Sequence, residues 1–288
     1  MHMSKRRLFV MLVIIGTIVL TITTAGCIGS FTAYPDEVMV HKNVISVDSR
    51  YVDGNIITGL LFSPNNYKSS YFEAIDNYLP FTNPVLEIGA GFGPVTAYVN
   101  DKIKVIPHHL AVEKDTNLVN LLSKTKMMNN MGTQILNAVV SYSLPDNVVY
   151  YNLSKQTIEA TGVSTPKENT HVALEVYTIS ELIEKYDFLK ESKNISLLID
   201  DDDVAASLFN KETRLAESVE TIILNIQDSS MDKTLIRNAS SLGFNLQNYP
   251  ISDNEGYTVL AFKRTTKVPI VASTSDSETK SEQLTANK

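Results

Sequence analysis

The chain has 288 residues, 43% of them hydrophobic, and a net charge of −7, enough to build one large α/β core and too acidic to offer the basic surface that nucleic acid requires. A single cysteine, Cys27, excludes an internal disulfide and a cysteine-based zinc site, and the five histidines lack any ligand spacing.

At the start, Lys5, Arg6 and Arg7 precede an apolar run from Leu8 to Ala25. As a helix rising 1.5 Å per residue, such a run covers about 27 Å, close to the roughly 30 Å of a bilayer core. Residues 1–27 are therefore predicted to be a signal peptide or membrane anchor. The basic cluster would hold the N-terminus in the cytoplasm and place the rest, membrane-associated, on the extracytoplasmic side. Thr24-Ala25-Gly26-Cys27 resembles a lipoprotein processing box, with Thr24 where an aliphatic residue is preferred. A cleaved lipoprotein and an uncleaved anchor both stay open. Residues 28–64 read as linker and lead-in, turning at Pro35 and Asp36. Tyr67, Tyr71 and Tyr78 recur at near-helical spacing, a pattern of core packing by default and of a lid over the next loop as the alternative.

From residue 65 to 264 short apolar runs alternate with helical stretches. Strands are predicted at 85–88, 109–113, 134–140, 195–200, 220–226 and 257–262, and helices at 94–100, 115–130, 178–189, 203–217 and 230–242. The alternation predicts a doubly wound, Rossmann-like, mostly parallel seven-stranded sheet, with ligands at the carboxyl ends of its strands. The stretches 243–250 and 257–264 predict a C-terminal antiparallel hairpin. Residues 265–288, rich in Ser, Thr, Glu and Lys, predict a disordered tail.

The stretch Val85-Leu86-Glu87-Ile88-Gly89-Ala90-Gly91-Phe92-Gly93 carries the chemistry. Glycines serve where backbone adopts positive φ or approaches a ligand closely, and Pro94 suits the first position of a following helix. A dinucleotide loop would place its third glycine where Pro94 stands, which disfavours a nicotinamide cofactor. About twenty residues on, Glu113 ends the next strand, where such folds place a carboxylate for ribose hydroxyls. Taken alone, Glu113 is also an ordinary solvated strand end.

The loop resembles the first motif of class I S-adenosylmethionine-dependent methyltransferases, an acid followed by three alternating glycines. Asn137-Ala138, Thr178-Ile179-Ser180-Glu181-Leu182 and Leu198-Ile199-Asp200-Asp201-Asp202-Asp203-Val204-Ala205 extend the likeness to the FkbM type over residues 65–264. Leu198, Asp203 and Ala205 depart from that type's lysine, glycine and final glutamate. The resemblance implies S-adenosylmethionine as cofactor, held by Glu87, Gly89, Ala90, Gly91, Gly93, Glu113 and Asn137. It also implies O-methylation of a small-molecule or glycan hydroxyl, with Asp200 and Asp202 orienting or deprotonating the acceptor. The four aspartates allow two other readings, capping of the next helix by Asp202 and Asp203 or a Mg²⁺ or Ca²⁺ site. A tethered, catalytically inactive binding module is the alternative function.

Overall fold

The computed structural model describes residues 34–103, 108–144, 146–159, 170–227, 229–247, 251–252 and 256–264. The expected membrane segment at 1–27 and the expected tail at 265–288 lie outside the described residues, among which no helix is long and apolar enough to cross a membrane. The chain divides into Met1–Asp36 and Glu37–Lys288, and every element below belongs to the second unit.

Within the stretch read as linker and lead-in, residues 37–62 carry two strands and a helix. Strands β1 (Glu37–Val40) and β2 (Asn43–Ser46) form an antiparallel hairpin. His41 and Lys42 turn it at φ 46° and 74°, the positive pair that two-residue hairpins demand and that Asn-Gly usually signals. Val38 and Val40 point inward while Glu37 and Met39 point out, a period of two in a run too short to stand out. Helix α1 (Gly54–Phe62) follows, capped by the Asp53 carboxylate on the Asn55 amide at 2.7 Å. The hairpin is fastened to the body by Asn129, which accepts from the Val44 amide at 2.9 Å and donates to its carbonyl at 2.6 Å. Thr125, fully buried, accepts from the Ser46 amide at 3.0 Å and donates to the carbonyl of Phe92 at 3.2 Å.

The elements continue through α2 (Ser69–Tyr78), β3 (Val85–Ile88), α3 (Pro94–Lys102), β4 (His109–Glu113), α4 (Thr116–Met128), β5 (Gln134–Asn137), β6 (Val139–Val140), β7 (Val148–Asn152), β8 (Thr157–Glu159) and β9 (His171–Tyr177). After these come α5 (Ile179–Lys185), α6 (Asp187–Lys190), β10 (Ile195–Ile199), α7 (Asp202–Lys211), β11 (Val219–Ile226), α8 (Asp232–Ser241), β12 (Phe244–Leu246), β13 (Ile251–Ser252) and β14 (Thr258–Arg264). The main sheet runs β12-β14-β11-β10-β3-β4-β5, with β13 also on β14. Neighbours from β11 to β5 are parallel, and β14 is antiparallel to β11, β12 and β13. This is the seven-stranded order with an antiparallel C-terminal end that the alternation predicts.

Both faces are covered, as a parallel sheet requires. Leu86, Ile88, Leu197, Ile199, Ile222 and Leu224 meet α5, α7 and α8 on one side, and Val85, Leu198, Ile223 and Ala261 meet α2 and α3 on the other. Each such buried aliphatic side chain contributes about 1.5–3 kcal/mol over its exposed state. Tyr71, 1% exposed, is part of the second core, so the tyrosine stripe packs rather than lids.

The run 134–140 splits at Ala138. β5 stays in the main sheet, while β6 pairs parallel with β9 in a second sheet of order β6-β9-β7-β8. That sheet is absent from the sequence reading.

Candidate functional site

The order β10-β3-β4 sets three adjacent parallel strands with their carboxyl ends side by side. Residues Gly89 to Gly93 join β3 to α3 over this edge. The Gly89 and Ala90 amides both donate to the Val112 carbonyl, at 3.0 and 3.2 Å, which seats the loop on β4.

The three glycines differ in what they do. Gly89 has φ 81°, and a Cβ there would lie 2.4 Å from the backbone oxygen of Asp200. Gly93 has φ 101°, and a Cβ there would lie 2.6 Å from Leu122 of α4. Both therefore permit the packing of the fold. Gly91 has φ 57° and nothing within 4 Å of its would-be Cβ, so its backbone faces open space, as a ligand-approaching glycine should.

Glu113 is 7% exposed. Its Oε2 accepts from the Gly91 amide at 2.7 Å and its Oε1 from the Asp115 amide at 2.8 Å. Burial pushes its pKa up from the ordinary carboxylate value, against the pull of those two amides. Asn137 holds this corner from below, donating to the carbonyls of Glu113 and Lys114 at 2.9 and 3.2 Å and accepting from Thr116 at 2.8 Å. Its side chain is fully engaged by the scaffold, so it positions Glu113 instead of reaching into the cleft.

A cleft with about 120 Å³ of open space lies here, lined by Ile88, Gly89, Val112, Glu113, Ala138 and Val140 together with Lys114, Asp200 and Asp201. Lys114 follows β4 and Asp201 follows β10; their ion pair at 2.7 Å bridges over the end of β3 between them. Asp200, 15% exposed at its side chain, is occupied on both oxygens, by the Lys68 ammonium on Oδ2 and by Asn225 at 2.9 Å on Oδ1. Burial alone would lower the Lys68 pKa, but Asp200 and the neighbouring tyrosines raise it well above the usual value. Lys68 sits at φ 44° just before α2, its ammonium 5.7 Å from the ring centroids of Tyr67 and Tyr257.

Three sequence-based assignments change. Glu87 does not line the cleft: at 2% exposure its Oε2 lies 2.9 Å from Nε2 of buried His109, whose Nδ1 is 3.1 Å from Thr133. A side chain two residues before the loop alternates to the core face of β3, beneath α2 and α3. Asp202 accepts from the Gln227 amide at 2.9 Å and stands outside the lining residues, whereas Asp201 is among them. The cap of α7 is Asp201, on the Val204 amide at 3.1 Å, instead of Asp202 or Asp203. Ala90, 4% exposed, contributes its backbone to the loop and its side chain to a small cluster with Ala111 and Leu122.

Lys68, Lys114 and Asn225 went unread in the sequence, and Asp201 was read only as one of four successive aspartates. Lys114 adjoins Glu113 and Asp201 adjoins Asp200, so proximity along the chain was their only signal. Among the described residues no group of His, Cys, Asp or Glu could hold a metal ion.

No known family's sequence profile matches the chain, and no curated protein matches it in sequence. Solved structures similar to it include a ribosomal protein methylase from Lactobacillus delbrueckii, at 10% identity over 71% of this chain and 80% of that one, with a TM-score of 0.43. A precorrin-6y methyltransferase from Geobacter metallireducens aligns at 8% identity over 76% and 91%, TM-score 0.42. Fibrillarin from Aeropyrum pernix, solved with natively bound S-adenosyl-L-methionine, aligns at 11% identity over 69% and 76%, TM-score 0.42. Likenesses of this strength assign no family to the chain.

Proposed function

We propose that this protein is an S-adenosylmethionine-dependent methyltransferase tethered to a membrane by residues 1–27, acting on a hydroxyl of a sugar or small molecule on the extracytoplasmic side. The observation that carries the reading is Gly91, a left-handed glycine over open space whose amide is locked to the strand-end carboxylate Glu113. The residues fit the cofactor. Each Glu113 oxygen accepts one backbone amide and keeps a lone pair for a ribose hydroxyl, and the bare backbone at Gly91 leaves room above it.

When bound, S-adenosylmethionine supplies an electrophilic methyl group, and the protein's contribution is to place an acceptor oxygen in line behind it. Gly91 and Glu113 would fix the cofactor end of that line. Asp200, held by Lys68 and Asn225, would accept a hydrogen bond from the acceptor hydroxyl and orient it. With an ammonium on one oxygen and an amide on the other, its geometry supports orientation over proton removal.

A second reading, a tethered binding module without transfer, is favoured by the Lys114–Asp201 pair across the cleft and by the engaged state of Asp200. Calorimetric titration of S-adenosylmethionine into the protein and into Gly91→Val separates the two. Binding lost in the variant supports the enzyme; no binding by the folded parent protein sinks it.

A further inference from the structure

Large apolar side chains exposed among the described residues are Val148 on β7, Met39 on β1, Ile56, Leu61 and Phe62 on α1, and Met127 and Met128 on α4. The last three elements are neighbours in the fold. Helix α1 packs on β1, and Val44, opposite Met39 in the hairpin, exchanges two hydrogen bonds with Asn129 immediately after Met128. Phe62 is 82% exposed, and the stretch from Gly54 to Asn66 contains no ionisable side chain. Single exposed apolar residues are ordinary, but a cluster around an uncharged helix marks a contact surface.

What covers it follows from where the chain goes. β1 begins twelve residues after Ala25, the end of the apolar run. Twelve residues span at most about 40 Å even fully extended, so a bilayer holding that run stays within reach of the strand that carries Met39. Tethering at this range makes even a weak surface contact effectively intramolecular.

We infer that the β1–α1 face rests on the lipid surface, with Leu61 and Phe62 inserted among the acyl chains. The inference depends on the membrane tether proposed above. Phe62 lies six residues before Lys68, no more than about 20 Å of chain, so docking holds the Asp200 end of the cleft near the bilayer. That placement suits an acceptor presented at the membrane surface.

The chain contains no tryptophan, so Phe62→Trp in the full-length protein introduces a sole indole reporter. The protein is reconstituted into phosphatidylcholine vesicles with or without brominated acyl chains, and Val148→Trp serves as the reporter away from the patch. We expect both proteins to float with the vesicles, and the Phe62→Trp emission alone to shift to the blue and lose intensity with brominated lipid. Adding Ile56→Glu and Leu61→Glu should abolish that quenching while flotation persists. Flotation without quenching, or equal quenching of both reporters, overturns the docking and leaves the tether standing. Failure to float overturns the tether and the docking together. A blue shift that grows with protein concentration and ignores bromine assigns the face to a second copy of the chain and also overturns the proposal.

Discussion

The amide of Gly91 donates to Oε2 of Glu113 at 2.7 Å, tying the glycine loop after β3 to the end of β4. Because burial raises the Glu113 pKa, its contribution to stability is fully present below the ordinary carboxylate value and is lost as pH rises through the raised one. Ribose hydroxyls of the proposed cofactor, donating to Glu113, would favour the ionised form. Cofactor binding should therefore release protons where the ligand-free Glu113 is still protonated, below its raised pKa, with affinity rising as pH climbs toward that value. Calorimetry in two buffers of unequal ionisation enthalpy reads the proton release directly, and Glu113→Gln should abolish it.

The glycines should separate by variant. Gly89→Ala combines a left-handed backbone, about 1–2 kcal/mol for a residue with a Cβ, with a clash against the Asp200 carbonyl that adds about 1–3 kcal/mol. Gly91→Ala meets no atom within 4 Å and should lose only the about 1–2 kcal/mol conformational part. Denaturant unfolding should rank Gly89→Ala well below Gly91→Ala in stability. S-adenosylmethionine titration should show the milder Gly91→Ala variant still impaired in binding.

Lys114→Met should strengthen cofactor binding. The Lys114–Asp201 pair spans the cleft, and with Lys114 44% exposed it is worth about 0.2–1 kcal/mol. Removing it should raise affinity by no more than about five-fold, visible as a lower Kd alongside a stability loss of no more than about 1 kcal/mol. A weakened affinity would mean instead that Lys114 touches the ligand.

Lys68→Met should be severe, because it strands the Asp200 carboxylate beside the buried, unpartnered hydroxyl of Tyr71. Breaking a buried pair at one end costs about 3–5 kcal/mol. Adding Asp200→Asn removes the stranded charge and should restore most of the loss. The double variant, folded but lacking the carboxylate, then tests the orienting role of Asp200 by methyl-transfer rate at saturating cofactor.

The main sheet was legible because its strands are buried on both faces and read as unbroken apolar runs such as Ile195–Ile199. Glu113 and the glycines were legible because chain order fixes where a doubly wound fold brings strand ends together. The β1–β2 hairpin was hidden by its His41-Lys42 turn, which carries positive φ on residues that do not announce it. The second sheet was hidden because β7 and β9 show neither the clean alternation nor the unbroken burial of the main strands, and a long stretch of chain separates them. Glu87 was misplaced since its motif position overrode the period-two rule that turns it toward His109. Lys68 reaches Asp200 from 132 residues away, a pairing that no local pattern encodes.

The bonds from Ser46 to Thr125 and from Thr125 to the Phe92 carbonyl also have a mechanical meaning. The hairpin and the glycine loop share the one buried hydroxyl of Thr125, so a displacement of β2 that moves this side chain also disturbs the Phe92 carbonyl.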